Sequence, residues 1–338
     1  MAVSIDDVAR AAQVSISTVS RVINNRLDLV NIRTRERVES AIQRLGYRPN
    51  AFARGLMLRR SEIVGLVLPD LHGEFYSEII RGANQKAREM GYSLVVSSTR
   101  ESDESHSILA AMQRRTLFDG VAVMFSELTD GIQAVLGSFP VPFVVLDDDI
   151  SGTLHDSVII DQHSGTAALV RHLLDKRGVK RLIFVGGPAT NVDSRARLDV
   201  CRAVLAERGY LLSSNDVFHL DYQYETALAL AGRKLESWVG PNTCVFAAND
   251  EMAAGVLAAA AGRGVVVPRQ FAVVGFDDTR VARMTHPSLT TVRVPMSEMG
   301  AQAIDLLCQR IATPERDPIR VSLKPELVVR ESCGNGAA

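Results

Sequence analysis

The chain has 338 residues, 46% hydrophobic and 23% charged, with a formal net charge of −1; that length suits two or three folding units, and the balance is that of a globular rather than a disordered chain. No apolar run approaches the roughly 18–20 residues of a membrane span, and MAVSIDDVAR lacks the basic start and apolar stretch of a secretory signal. Cys201, Cys244, Cys308 and Cys333 lie scattered without C-x-x-C or metal spacing, which predicts a reduced, cytoplasmic protein with neither disulfide framework, metal nor cofactor.

The net charge hides an asymmetry. Residues 1–60 carry eleven arginines, no lysine and five acidic residues, a net of +6, which leaves −7 on the remainder. A basic head on an acidic body is the electrostatic footprint of a phosphate-backbone binder, although a solvated charged face would look the same. Residues 4–24 predict two short helices: Ser4 caps the first, with Asp7 closing a capping-box pair, and Ile5, Val8, Ala9 and Ala12 form one face. After a break at Gln13-Val14, Ser15 caps a second helix that turns Val19, Val22 and Ile23 inward. Ile16, Ser17, Thr18, Ser20 and Arg21 are left outward. Small polar residues at a helix start, with an Arg beyond, suit approach to base edges. A third helix starts at Asn31, runs through Thr34 to Leu45 and stops at Gly46.

The stretches D-V-A-R-A-A-x-V-S-x-S-T-V-S-R-V-I-N, T-R-E-R-V and L-G-Y-R-P-N-A-x-A-R-G-L, spanning residues 4–58, resemble the head of the lactose/galactose repressor (LacI/GalR) family. The resemblance implies that Ile16, Ser17 and Arg21 read bases, while Ser15, Thr18, Ser20, Asn24, Asn31 and Thr34 touch phosphates. It makes Asn50–Leu58, with Asn50 and Arg54, a hinge helix whose Leu56 wedges into the minor groove. At about two turns such a helix is marginal alone, so its folding can couple DNA binding to the body. Two departures stand out: Gln13 replaces the usual turn glycine, and the loop 25–29 is about one residue longer.

From residue 61 apolar runs alternate with amphipathic segments. The predicted order is strand 63–68, helix 75–90, strand 92–97, helix 105–115, strand 120–124, helix 132–139 and strand 142–147. A second series opens with strand 158–161 and helix 164–176, then strand 181–185, helix 195–208, strand 217–220 and helix 226–236. It closes with strand 243–247, helix 250–261 and strand 272–276. Two such series predict an α/β body of two doubly wound parallel-sheet lobes, with ligand bound beyond the strand ends. Asp70, Asp147, Asp161, Asn191 with Asp193, Asn249-Asp250 and Asp277-Asp278 sit at those ends. Arg195 and Arg197 begin a helix beside them, and Phe75, Tyr76 and Tyr222 supply aromatic faces. Such a set suits a polyhydroxylated ring, although Asp and Asn at these turns serve equally as helix caps.

The segments G-G-P-x-x-N-x-D-x-R-x-R-L, F-A-A-N-D-E-M-A-x-G, V-V-G-F-D-D-T, P-S-L-T-T-V and L-V-V-R-E-S resemble the periplasmic-binding-protein-like body of the same family. They imply effector contacts at Arg197, Asn249 and Asp277, then Asp147, Asp193 and Tyr222, with Asn191, Phe75 and Tyr76 completing the pocket. G-E-F-Y at 73–76 departs from N-P-F-F, and its Glu74 leaves the specificity open; Asp148 stands where a basic residue is frequent, which favours a neutral sugar over a phosphorylated one. The expected division is a helix-turn-helix domain over 1–48 and a hinge over 49–60, then an effector-binding and dimerisation domain over 61–333. Within it the N-lobe takes 61–161 and 290–318 and the C-lobe 162–289 and 319–333; 334–338 form a disordered tail. The expected function is a repressor of carbohydrate-utilisation genes, binding a palindromic operator on double-stranded DNA as a homodimer under a small sugar-like effector. Phosphate loops, G-x-G-x-x-G after the first strand and G-x-S-x-G are all missing, so no catalytic residue is assigned. The alternatives are a nucleobase or protein co-regulator, or a sugar-modifying enzyme fused to a DNA-binding head.

Overall fold

A computed structural model of the chain describes residues 3–23, 30–47, 60–99, 118–125, 141–147 and 155–334, in two compact units, Met1–Glu62 and Ile63–Ala338. The hinge segment 50–58 with Asn50, Arg54 and Leu56 lies outside the described residues. So do Asn24, the loop 25–29, the helices expected over 105–115 and 132–139, Asp148 and the tail beyond Gly334.

The head is built from local signals that act as expected. Helix α1 (Ile5–Ala12) is capped by Ser4, whose Oγ accepts the Asp7 N–H at 3.2 Å while the Ser4 N–H donates to the Asp7 carboxylate at 2.9 Å. Gln13 ends it with φ of 53°, so a β-carbon sits where glycine is at ease, a cost of about 1 kcal/mol. Helix α2 (Ile16–Ile23) starts at Ser15, and α3 (Ile32–Leu45) is capped by Asn31 and closed by Gly46 at φ 63°. Val8, Ala9, Ala12, Val19, Val22, Val38 and Ala41 bury the faces these caps orient.

The body opens with β1 (Ile63–Leu68), α4 (Gly73–Glu89), β2 (Ser93–Ser98), β3 (Gly120–Met124), β4 (Phe143–Leu146) and β5 (Asp156–Ile160). Next come α5 (Gln162–Arg177), β6 (Arg181–Gly186), α6 (Val192–Glu207), β7 (Val217–His219), α7 (Tyr224–Trp238), β8 (Thr243–Ala247) and α8 (Asp250–Gly262). The last elements are β9 (Ala272–Val274), α9 (Arg280–Met284), β10 (Thr291–Arg293), α10 (Met296–Ala312), β11 (Arg320–Leu323) and β12 (Glu326–Val328). One parallel sheet has the order β11-β5-β4-β3-β1-β2, and a second, also parallel, β7-β6-β8-β9. Fully apolar strands such as β1, β3 and β4 belong in such sheets because both faces are covered.

Three expectations are corrected. The strand near 158, read as opening the second series although the lobe bounds gave it to the N-lobe, belongs to the first sheet, where β5 pairs with β4 and β11. The first-lobe return does not begin at 290: β10 pairs antiparallel with β12 and bridges to Asp277, so the return starts with α10. Nor does it end at 318, because β11 carries it to Leu323. The physical cause is Asp156, a buried carboxylate that Arg310, Arg316 and the Ile319 N–H all reach within 3.1 Å. Burial alone would raise this carboxyl, but those donors outweigh it and hold it below the usual range. Helix starts also shift: His72, Asn191 and Gln223 are the N-cap positions of α4, α6 and α7, each helix beginning two or three residues before the expected position.

Candidate functional site

Two surfaces bring the expected residues together. On the head, Ser15, Ile16, Ser17 and Arg21 are exposed on α2 and its lead-in, with Thr18 and Ser20 half-buried beside them. Ser15 Oγ lies 2.8 Å from Ser17 Oγ and 2.9 Å from Thr18 Oγ1, so one short hydroxyl cluster marks the helix start. Asn31 is exposed and Thr34 half-buried; the Asn31 side-chain oxygen accepts the Thr34 N–H at 2.8 Å and so caps the first turn of α3. A small-residue helix start with one guanidinium beyond it fits a major groove.

In the body a cavity of about 440 Å3 lies between the ends of both sheets, within the roughly 300–1,000 Å3 of small-molecule sites. Phe75, Tyr76, Asp147, Asn191, Asp193, Arg197, Tyr222, Asn249 and Asp277 all line it. Asp161, Asp278 and Arg195 do not. Asp161 caps α5 through the Ser164 N–H at 2.9 Å, Arg195 is exposed, and Asp278 pairs with Arg293 and Arg330 on the segments that join the lobes. Asp70, Glu74, Phe125, Glu251 and Thr279 also line the cavity. For Asp70 the position at a strand end was a usable signal. For Glu74 the signal was the departure G-E-F-Y at 73–76; its carboxylate crosses the cleft to accept the Arg280 N–H at 2.7 Å.

Arg197 is buried yet oriented. Its Nε donates to Gln162 Oε1 at 2.9 Å, its Nη1 to the Ala248 carbonyl, and its guanidinium lies 3.8 Å from the Phe276 ring centroid. Capping and lining prove compatible for the asparagines. Asn191 and Asn249 accept the Ser194 and Met252 N–H groups at 2.9 Å, while Tyr222 Oη donates to Asn191 Oδ1 at 2.8 Å. Asn249 Nδ2 donates to the Tyr222 carbonyl at 2.9 Å, holding that residue at φ 67°. Gly187 leaves room for the Tyr222 ring, since a β-carbon there would stand 2.2 Å from it. Asp147 at φ 55° and Asp277 at φ 113° are also left-handed, a strain of about 1–3 kcal/mol each that collects at this cavity. Phe75 and Tyr76 meet edge to face, centroids 5.2 Å apart.

Burial raises the Asp147 carboxyl, and the neighbouring Asp193 raises it further. Burial likewise raises Asp277 against the opposing pull of Arg197, and keeps the Tyr76 and Tyr222 phenols neutral. Asp250 is pushed up to about 7 by burial, although Thr279 and Thr291 donate to it. A carboxyl raised by folding favours the native state below its unfolded value near 3.9, and that contribution is lost as pH rises through the folded value. Relative to Asp250→Asn, the wild-type chain is therefore expected to lose up to about 1.4 kcal/mol per pH unit between pH 4 and 7. Denaturant titrations of both across that range check this; parallel profiles would refute it.

Among the described residues no group of three or more His, Cys, Asp or Glu is disposed to hold a metal ion, and no helix is long and apolar enough to cross a membrane. Residues 4–50 match the family described as bacterial regulatory proteins, lacI family, and residues 170–333 match the periplasmic binding protein-like domain. The chain is 34% identical to catabolite control protein A of Priestia megaterium over 333 residues, 98% of this chain and 99% of that one. The solved complex of the transcriptional regulator CelR with cellobiose is 31% identical, covers 98% of this chain and 99% of its own, and superposes with a TM-score of 0.74. The lac repressor dimer bound to operator and the anti-inducer ONPF superposes with a TM-score of 0.87 at 28% identity, over 98% of this chain and 99% of that one. These relatives are regulators, not enzymes.

Proposed function

Because the chain belongs to the lacI family of bacterial regulatory proteins and is a DNA-binding transcriptional regulator, we propose that it represses carbohydrate-utilisation genes under a small sugar-like effector. In this reading it acts in the cytoplasm as a homodimer on a palindromic operator, each α2 entering one half-site through Ile16, Ser17 and Arg21. Ser15, Thr18, Ser20, Asn24, Asn31 and Thr34 hold phosphates, and the segment 50–58 sets Leu56 into the minor groove. The observation that carries the effector reading is the cavity: aromatic faces, carboxyls, amides and one oriented guanidinium converge there from both lobes. A pyranose or furanose ring needs that mixture of stacking surface, acceptors and donors. The effector works by population shift, favouring one lobe arrangement and so changing the spacing of the two hinges.

Selection of operators from random DNA with the full chain, with and without a panel of sugars, tests the reading. Inverted repeats should be enriched, and one sugar should change their retention; asymmetric sites, or indifference to every sugar, would overturn it. Arg21→Ala is expected to lose about 1–3 kcal/mol on the selected operator and far less on unrelated DNA. Equal losses on both would remove Arg21 from base reading.

A further inference from the structure

Three consecutive residues between β9 and α9 divide their side chains between the cavity and the joints of the body. Asp277 and Thr279 line the cavity, whereas Asp278 between them does not. Both aspartates take left-handed backbone, φ 113° and 56°. The Asp278 side chain, 2% exposed, is turned onto the segments that connect the lobes. Its Oδ2 accepts Arg293 Nε at 2.8 Å and its Oδ1 accepts Arg330 Nη2. Arg293 ends β10, on which the chain leaves the second lobe for α10 in the first. Arg330 follows β12, on which the chain returns from β11. One carboxylate thus grips the outgoing and the returning segment together. The turn is also bonded to the outgoing segment through the backbone: the Asp277 N–H donates to the Val292 carbonyl at 2.8 Å, and the Val294 N–H to the Asp277 carbonyl at 3.2 Å. The third connection, from β5 to α5, lies against the same two segments, since a β-carbon on Gly165 would stand 2.6 Å from the Pro325 ring and 3.0 Å from Val292.

We propose that Asp278 is a positioning residue for the effector response, carrying a displacement of the cavity wall to the segments about which the lobes turn. This rests on the reading that a ligand in the cavity shifts the lobe arrangement, and it names the residue through which the shift passes. A ligand bonded to Asp277 or Thr279 pulls on a turn of three residues. With the far side of that turn free, local rotation would absorb the pull. With Asp278 held by two guanidiniums, the turn moves only together with β10 and the segment after β12. Arg330 is itself fastened: its Nη1 donates to the Leu289 carbonyl and its backbone N–H to Thr290 Oγ1, both at 2.8 Å. The carboxylate is buried, so salt screens the grip much less than it would a surface pair. Coupling between separated sites is carried by such chains of bonded and packed groups.

The test measures two affinities of the full chain: for the sugar selected above, by calorimetry, and for the operator, titrated with and without that sugar. In the wild type the sugar should change operator affinity by about 5–150-fold. In Asp278→Asn the sugar should still bind within about fivefold of wild type, while the operator ratio falls to within about twofold of one. Arg293→Met removes one arm of the grip through a side chain that is 51% exposed, so the fold is not at stake; the ratio should fall at least about threefold. Glu326→Gln, which takes away the other partner of Arg293, should leave the ratio unchanged. Asp216→Asn is the control for lost stability, because its carboxylate pairs with Arg181 at 2.6 Å within the second lobe; it too should keep the wild-type ratio. The proposal falls if Asp278→Asn and Arg293→Met both respond like wild type, if Asp216→Asn loses the response equally, or if Asp278→Asn no longer binds the sugar. Should Asp278→Asn not fold, Arg293→Met alone decides. A responsive wild type with equally responsive variants removes this inference and leaves the sugar reading standing. A wild type indifferent to every sugar removes both.

Discussion

Arg197→Ala is expected to abolish the response of operator binding to effector and to cost the body about 3–5 kcal/mol of stability. The size follows from what the side chain leaves behind. Asp147, Asp277 and Tyr222 all lie in the field of this guanidinium, and its removal orphans the Gln162 side-chain oxygen and the Ala248 carbonyl while uncovering the face of Phe276. On the proposed reading the ligand also loses its one cationic donor, about 2–5 kcal/mol of affinity. Operator affinity without effector should stay within a few-fold of wild type, since the head has its own core. Denaturant unfolding gives the first quantity, and operator titration with and without sugar the others. A variant that still responds to effector would take Arg197 out of the site.

The second large effect is expected at Gly300→Ala. Helices α4 and α10 cross where neither carries a side chain: a β-carbon on Gly300 would lie 2.0 Å from the Ile79 carbonyl oxygen, and one on Gly82 1.8 Å from that of Ser297. Both obstacles are backbone, so relief requires the helices to part. Helix α10 also covers β3, β4 and β5, so the first lobe loosens with them. Alanine gains about 1 kcal/mol of helix propensity over glycine, but overpacking against a fixed backbone costs about 3 kcal/mol or more and decides the sign. Gly232, in α7, is the internal control because a β-carbon there meets nothing within 4 Å. Gly232→Ala should stabilise by about 0.5–1 kcal/mol. Matching effects of the two substitutions would mean that the crossing is not close-packed.

How much of this was legible in advance differs element by element. Ser4 with Asp7, Asn31 with Thr34 and Gly46 each act within four residues, and the helices they bound stand where those residues put them. The apolar runs of β1, β3 and β8 were equally readable, because strands covered on both faces leave no alternation to misread. The pairing of β5 with β11 was not. Its partner β11 lies about 160 residues further on, and the link is made by Asp156 gripping two arginines that no local pattern connects to it. Asp147 and Asp161 look alike as aspartates at strand ends, yet one faces the cavity and the other caps a helix.

The sequence by itself determined the three-helix head, the α/β body and the residue types that meet in the cleft. Caps, turn glycines and apolar periodicity act through the nearest few residues and are written in order along the chain. The tertiary structure alone decided that β11 returns to pair with β5, that Arg197 is buried and pinned while Arg195 is exposed, and that Glu74 reaches across to Arg280. It also set Asp147 and Asp193 in the lining of one cavity. Those outcomes depend on which distant segments share a buried, low-dielectric space, where one carboxylate must find an arginine, a proton or a ligand.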